Sequence, residues 1–118
     1  MIIRESNPKL QLKLEERLGV QFEIIEEICQ QWGIIELAFF GSVLRDDFKS
    51  NSDLDILVTF EPNNKISLFD LENMEEQLKT LFNRSVDIVT KQSIENSHNW
   101  IRRQNILDNS EVIYVKRS

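Results

Sequence analysis

Three aspartates, a glycine–serine pair and one arginine are the residues whose types and spacing could do chemistry in this chain. Asp53 and Asp55 stand two residues apart. On an extended strand that spacing points both side chains to the same face, roughly 6.6 Å apart along the strand. Paired carboxylates of this kind suit magnesium, which prefers carboxylate and phosphate oxygens and keeps some of its water; two ions about 3.5–4 Å apart can activate an attacking oxygen and stabilise a leaving one. Asp87 lies among Val86, Ile88 and Val89, where an unpaired buried charge would be heavily penalised. The sequence therefore predicts a compensating partner for it. If the strand of Asp87 lies beside that of Asp55, the three acids form one cluster, whose mutual repulsion raises their pKa values until metal neutralises it. Asp87 would then help to orient and deprotonate an acceptor hydroxyl.

Gly41 and Ser42 follow an apolar run and precede a short helical stretch over Ser42 to Asp46. There glycine lets a phosphate approach the backbone, and free N–H groups with a helix dipole favour an anion. The serine hydroxyl adds a donor. Arg45 could bind a phosphate or pair with a neighbouring acid. Each feature has a plain reading alone: Gly-Ser as a turn, Asp-x-Asp as a solvated strand start, Asp87 on an edge strand facing water. Their joint order carries more weight: strand, Gly-Ser, ten residues, Asp-x-Asp opening a strand, then an acid between apolar residues in a third strand.

The elements that must position these residues are punctuated clearly. Asn7-Pro8 reads as N-cap and first helical position, with Leu10, Leu14 and Leu18 at helical spacing and Gly19 as the interruption. A second apolar stripe, Phe22, Ile25, Ile28, Cys29 and Trp32, closes at Gly33. Residues 34–40 are a short apolar run ending at Gly41, and residues 54–60 a second one ending in Glu61-Pro62-Asn63-Asn64. Both read as strands. Ser67 and Asp70 form a capping box for a helix whose apolar face is Leu71, Met74, Leu78 and Leu81, running to Phe82. Residues 86–89 read as a third strand, 93–107 as a helix and 112–115 as a last extended piece. The fold class expected is α/β (α+β), one domain over residues 1–118, with a helical segment over 1–33 and a core over 34–115.

The chain has 118 residues, 41% apolar and 29% charged, the profile of a globular protein. A net charge of −6 argues against a nucleic-acid substrate, whose backbone needs clustered Lys and Arg. The lone Cys29 offers no internal disulfide, no Cys/His set suggests zinc, and neither a signal-peptide core nor a membrane-length apolar run is present. The expectation is a soluble cytoplasmic protein. His98, on the last predicted helix, is read as a surface or packing residue, Trp32 and Trp100 as core or interface anchors, and Tyr114 as packed on the sheet rather than self-modified. Glu72, Glu75 and Glu76 are read as a solvated face, and Arg102 and Arg103 as possible contacts to nucleotide or partner.

The ordered set Gly41-Ser42, Asp53-Leu54-Asp55 and Val86-Asp87-Ile88 resembles the minimal nucleotidyltransferases of the DNA polymerase beta superfamily. In particular it is similar to the MntA-type antitoxins that are paired with HEPN-domain (HepT-type) ribonuclease toxins. The likeness spans Ile34 to Val115, and its specific part runs from Phe39 to Phe48 and through Asp55 to Val58. It implies a small mixed β-sheet flanked by helices and an ATP- and magnesium-dependent transfer of AMP to a tyrosine hydroxyl of the toxin, which is thereby silenced. By position, Gly41 and Ser42 would hold the triphosphate, Asp53 and Asp55 would bind both ions, and Asp87 would complete the acceptor-side one. The chain departs from the commonest pattern at Val43 and Asp46, where many relatives carry Arg and Gly. Two alternatives remain beside this one: neutralisation of a partner by stoichiometric contact, suited by the acidic charge, and modification of a small molecule, whose enzymes usually carry an added helical domain.

Overall fold

The computed structural model describes residues 2–3 and 8–116. Helix α1 spans Pro8–Leu18 and α2 spans Phe22–Trp32. The expected cap at Asn7 lies outside the described residues. Gly19 and Gly33 both take positive φ, as expected of residues ending a helix, and the Gly33 N–H donates back to α2 carbonyls. Leu14 and Leu18 of α1, with Phe22, Ile25, Ile28 and Cys29 of α2, are buried. The two helices thus lay one apolar wall against the sheet.

The strands are β1 (Ile2–Ile3), β2 (Ile34–Phe40), β3 (Leu54–Phe60), β4 (Val86–Thr90) and β5 (Glu111–Lys116), in the order β1-β5-β2-β3-β4. All neighbours are antiparallel except β3 and β4, which are parallel. A parallel pair needs a crossover, and α3 (Leu68–Phe82) supplies it. Its capping box is present, with Asp70 N–H on Ser67 Oγ and Ser67 N–H on Asp70 Oδ2, each 3.1 Å. Asn83 ends α3 in the left-handed conformation and turns the chain into β4.

Side-chain alternation divides the sheet into two unequal faces. Leu37, Phe39, Leu54, Ile56, Val58 and Val86 join the larger core under α1, α2 and α3, whereas Ala38, Leu57 and Val89 join a smaller cluster with Ile94 and Ile106. The smaller face is covered by α4 (Lys91–Glu95) and α5 (Trp100–Asp108). One helix was expected over 93–107; two short ones form instead. The break falls at Asn96-Ser97-His98-Asn99, where polar side chains compete with the helical ladder: Asn99 Oδ1 accepts from Arg102 N–H, and Ser97 Oγ accepts from Asn99 N–H. His98 consequently lies in an exposed turn, not on a helix.

Tyr114 is fully buried, so a folded chain cannot present it for modification. Its hydroxyl has no hydrogen-bond partner among the described residues, and burial pushes its pKa up. Burial likewise raises the pKa of the free Cys29 thiol, with Glu26 adding to the effect. Tyr114→Phe removes a polar group that gains nothing from folding, so urea titration should show a stability change within about 0.5 kcal/mol of zero, or a small gain. Among the described residues no helix is long and apolar enough to cross a membrane.

Candidate functional site

The three aspartates meet at one end of the thinly covered face. Asp55 is the second residue of β3, and the parallel register sets it directly beside Asp87, the second residue of β4. Asp53 lies one residue before β3, near enough to Asp55 for its charge to raise the Asp55 pKa. The electrostatics report the same convergence: the Asp55 carboxyl is raised first by burial, then by Asp87 and then by Asp53, while Arg45 opposes the rise. Among the described residues the acids are not already closed into a ready-made ligand set.

Asp87 corrects one expectation. It is exposed, not buried among its apolar neighbours. Val86 and Ile88 point to the opposite face and pack in the larger core, and β4 is the last strand of the sheet. Burial therefore does not demand a partner for Asp87; the parallel register brings it to Asp55.

Gly41 ends β2 and is packed against β3. Its φ is +79°, and a Cβ built there would run into Asp55 Oδ2, with Asp55 Cγ 3.2 Å away. The positive φ calls for glycine, and any side chain here would also have to displace the Asp55 carboxylate. The following residues form a single 3₁₀ turn, Gly41–Leu44, and not the helix expected to Asp46. One turn sums too few aligned peptides to act as the expected dipole, so any anion preference must come from individual donors. Ser42 Oγ instead reaches the Asp53 carbonyl at 3.4 Å, tying the glycine–serine turn to the acidic loop. Val43 is buried in the core and cannot face a ligand.

Arg45 pairs with Asp47 (Nε to Oδ1, 3.4 Å), both exposed, while still lowering the Asp55 pKa. A recess of about 350 Å³ opens beside it, lined by Gly41, Leu44, Arg45, Asp108, Asn109 and Glu111. Asp46 meets Lys13 at 3.4 Å and Arg17 at 3.6 Å. Sequence reasoning passed over Arg17 and Arg84, which grip this loop through main-chain carbonyls. Such contacts leave no trace in residue spacing.

Residues 23–113 match the nucleotidyltransferase domain family, and the chain belongs to that family. Among its relatives is the protein adenylyltransferase MntA of Thermococcus cleftensis, 37% identical over 84 residues, a stretch covering 71% of this chain and 83% of that protein. A solved structure assigned as a minimal nucleotidyltransferase is 28% identical, covers 86% of this chain and 92% of its own, and superposes with a TM-score of 0.59. The fold is also that of a chain in a complex of a tri-AMPylated Shewanella oneidensis HEPN toxin with an MNT antitoxin: TM-score 0.57, 15% identity, 91% and 73% coverage.

Proposed function

We propose that this chain is a protein adenylyltransferase that moves AMP from ATP to a tyrosine hydroxyl of a HEPN-type ribonuclease toxin, and so acts as its antitoxin in the cytoplasm. The likeness to MntA supports the reaction, and the shared fold with an antitoxin bound to an AMPylated HEPN toxin supports the partner. The observation that carries the reading is the pairing of Asp55 with Asp87, with Gly41 backed against Asp55.

Magnesium fits the donors. All three are carboxylates whose repulsion is centred on Asp55, and magnesium, which keeps waters and takes substrate phosphate oxygens, needs no closed protein cage. Asp53 and Asp55 would hold both ions, with Asp87 completing the acceptor side. When bound, the ions would neutralise triphosphate charge and stabilise the leaving oxygen. Gly41, lacking a side chain, would leave the backbone open to the triphosphate, and Ser42 and Arg45 would offer it a hydroxyl and a guanidinium. Asp87, exposed on the outer strand, would orient the tyrosine hydroxyl and take its proton as the oxygen bonds to the α-phosphorus and pyrophosphate departs.

A second reading, neutralisation by contact alone, draws on the exposed Trp100 and Ile101 of α5, at 64% and 58% exposure. Incubation with α-labelled ATP, magnesium and a HEPN-domain protein encoded beside this chain, followed by intact mass spectrometry, separates the two. Whole AMP units added to the HEPN protein, and lost with the double variant Asp53→Asn and Asp55→Asn, are the expected result. A tight complex without added mass would overturn it in favour of contact.

A further inference from the structure

The loop from Arg45 to Asp53 joins the glycine–serine turn to the acids, and it contains no helix or strand. Two guanidinium groups from distant elements hold it. Arg17 of α1 donates from Nη1 to the carbonyls of Val43 and Arg45 at 2.7 and 2.5 Å, fixing the first half. Arg84, in the turn between α3 and β4, donates from Nη1 to the carbonyls of Lys49 and Ser52 at 3.2 and 3.1 Å, fixing the second. Phe48 lies between them, its ring centroid 6.0 Å from the Arg17 guanidinium carbon and 4.5 Å from that of Arg84. The ring is itself packed on the larger core.

Ser52 directly precedes Asp53, and Ser42 Oγ contacts the Asp53 carbonyl. Leu54 N–H donates to the carbonyl of Ser85, the residue after Arg84, at 2.9 Å. The same turn therefore secures the chain on both sides of Asp53. Burial is the first cause lowering the Arg84 pKa, and its Nε is buried without a partner among the described residues. A partly desolvated guanidinium stacked on an aromatic ring makes stronger hydrogen bonds than one in water.

We propose that Arg84 is a positioning residue for nucleotidyl transfer, aided by Arg17: it holds the Asp53 loop through the Lys49 and Ser52 carbonyls and Phe48, without touching substrate. This rests on the reading of Asp53 as a metal ligand. Groups that only orient ligands commonly change metal affinity or activity by about 10–100-fold, because a small misplacement at the reacting centre is costly.

The test compares Arg84→Met, Arg84→Lys and Asp53→Asn with the unaltered chain. Readouts are thermal unfolding, amide hydrogen exchange without metal, Mn²⁺ binding by water-proton relaxation, and kcat and KM for ATP against a HEPN protein. Arg84→Met is expected to stay folded at assay temperature, exchange faster over residues 45–53 but not in β2 or β3, bind Mn²⁺ about tenfold more weakly, and lose about 10–100-fold in kcat with KM for ATP within about threefold. Arg84→Lys, which keeps one charged donor, should recover part of each. If Arg84→Met leaves loop exchange and Mn²⁺ affinity unchanged, the positioning role is overturned; so it is if all losses follow global unfolding and Lys restores only stability. Full Mn²⁺ binding and transfer by Asp53→Asn would instead overturn the ligand assignment itself.

Discussion

Asp55→Asn is expected to lose transfer by at least about 10³-fold, because under the proposed function it would remove an anionic ligand where several kcal/mol of charge stabilisation would be supplied. The same variant should be slightly more stable than the unaltered chain when divalent ions are absent. Asp55 stands beside Asp87 and is raised by burial, by Asp87 and by Asp53. A carboxyl whose folded pKa exceeds its unfolded value binds its proton more tightly when folded. Its favourable contribution is therefore fully present below the unfolded pKa and is lost as pH rises through the folded one. At neutral pH the ionised group weakens the metal-free fold, and Asn relieves first the burial of a charge and then the repulsion from Asp87 and Asp53. The gain should not exceed about 1 kcal/mol, since like charges on neighbouring strands cost little where water screens them. Urea titrations across the acid range should show the advantage of the variant shrinking as pH falls, and magnesium should reverse it at neutral pH. A variant no more stable than the parent at neutral pH, or equally active, would count against the cluster.

Gly41→Ala should lose transfer about 100-fold or more while remaining folded. Alanine in the left-handed region costs about 1–2 kcal/mol, and the added methyl group must displace the Asp55 carboxylate or push β2 from β3. Either movement would misplace Asp55, which the proposed function sets at the reacting centre. Gly19 provides the internal comparison. Its φ is +68°, close to the +79° of Gly41, but a Cβ there meets nothing within 4 Å. Gly19→Ala should therefore lose a similar amount of stability, read from the denaturation midpoint, and keep its transfer rate. Equal losses of activity in the two variants would assign the effect at Gly41 to backbone conformation alone.

Most element boundaries could be read from the residues because glycine, proline and capping residues mark them. Gly33 and Gly41 bracket β2, Ser67 and Asp70 open α3, and the apolar runs of β3 and β4 form a parallel pair. The joint presence of Gly41, Asp53, Asp55 and Asp87 was legible for the same reason: Gly41 follows β2, Asp53 precedes β3, and β3 and β4 carry Asp55 and Asp87 as their second residues. What escaped depended on tertiary context. Nothing local distinguishes a 3₁₀ turn at Gly41–Leu44 from the start of a longer helix. Polar side chains in Asn96-Ser97-His98-Asn99 break what a purely apolar count joins. The exposure of Asp87 follows from the place of β4 in the strand order, and the grip of Arg17 and Arg84 from carbonyls brought close only by folding.

Ending the sheet on β4 also bears on how copies of this protein behave at high concentration. An outer strand offers unpaired backbone groups to any neighbour, and a charge on such a strand discourages edge-to-edge joining. Asp87 is the one charged side chain in a strand otherwise made of Val86, Ile88, Val89 and Thr90. Beside its proposed part in transfer it would therefore guard solubility, and Asp87→Asn preparations should sediment as larger species than Asp53→Asn preparations at equal concentration.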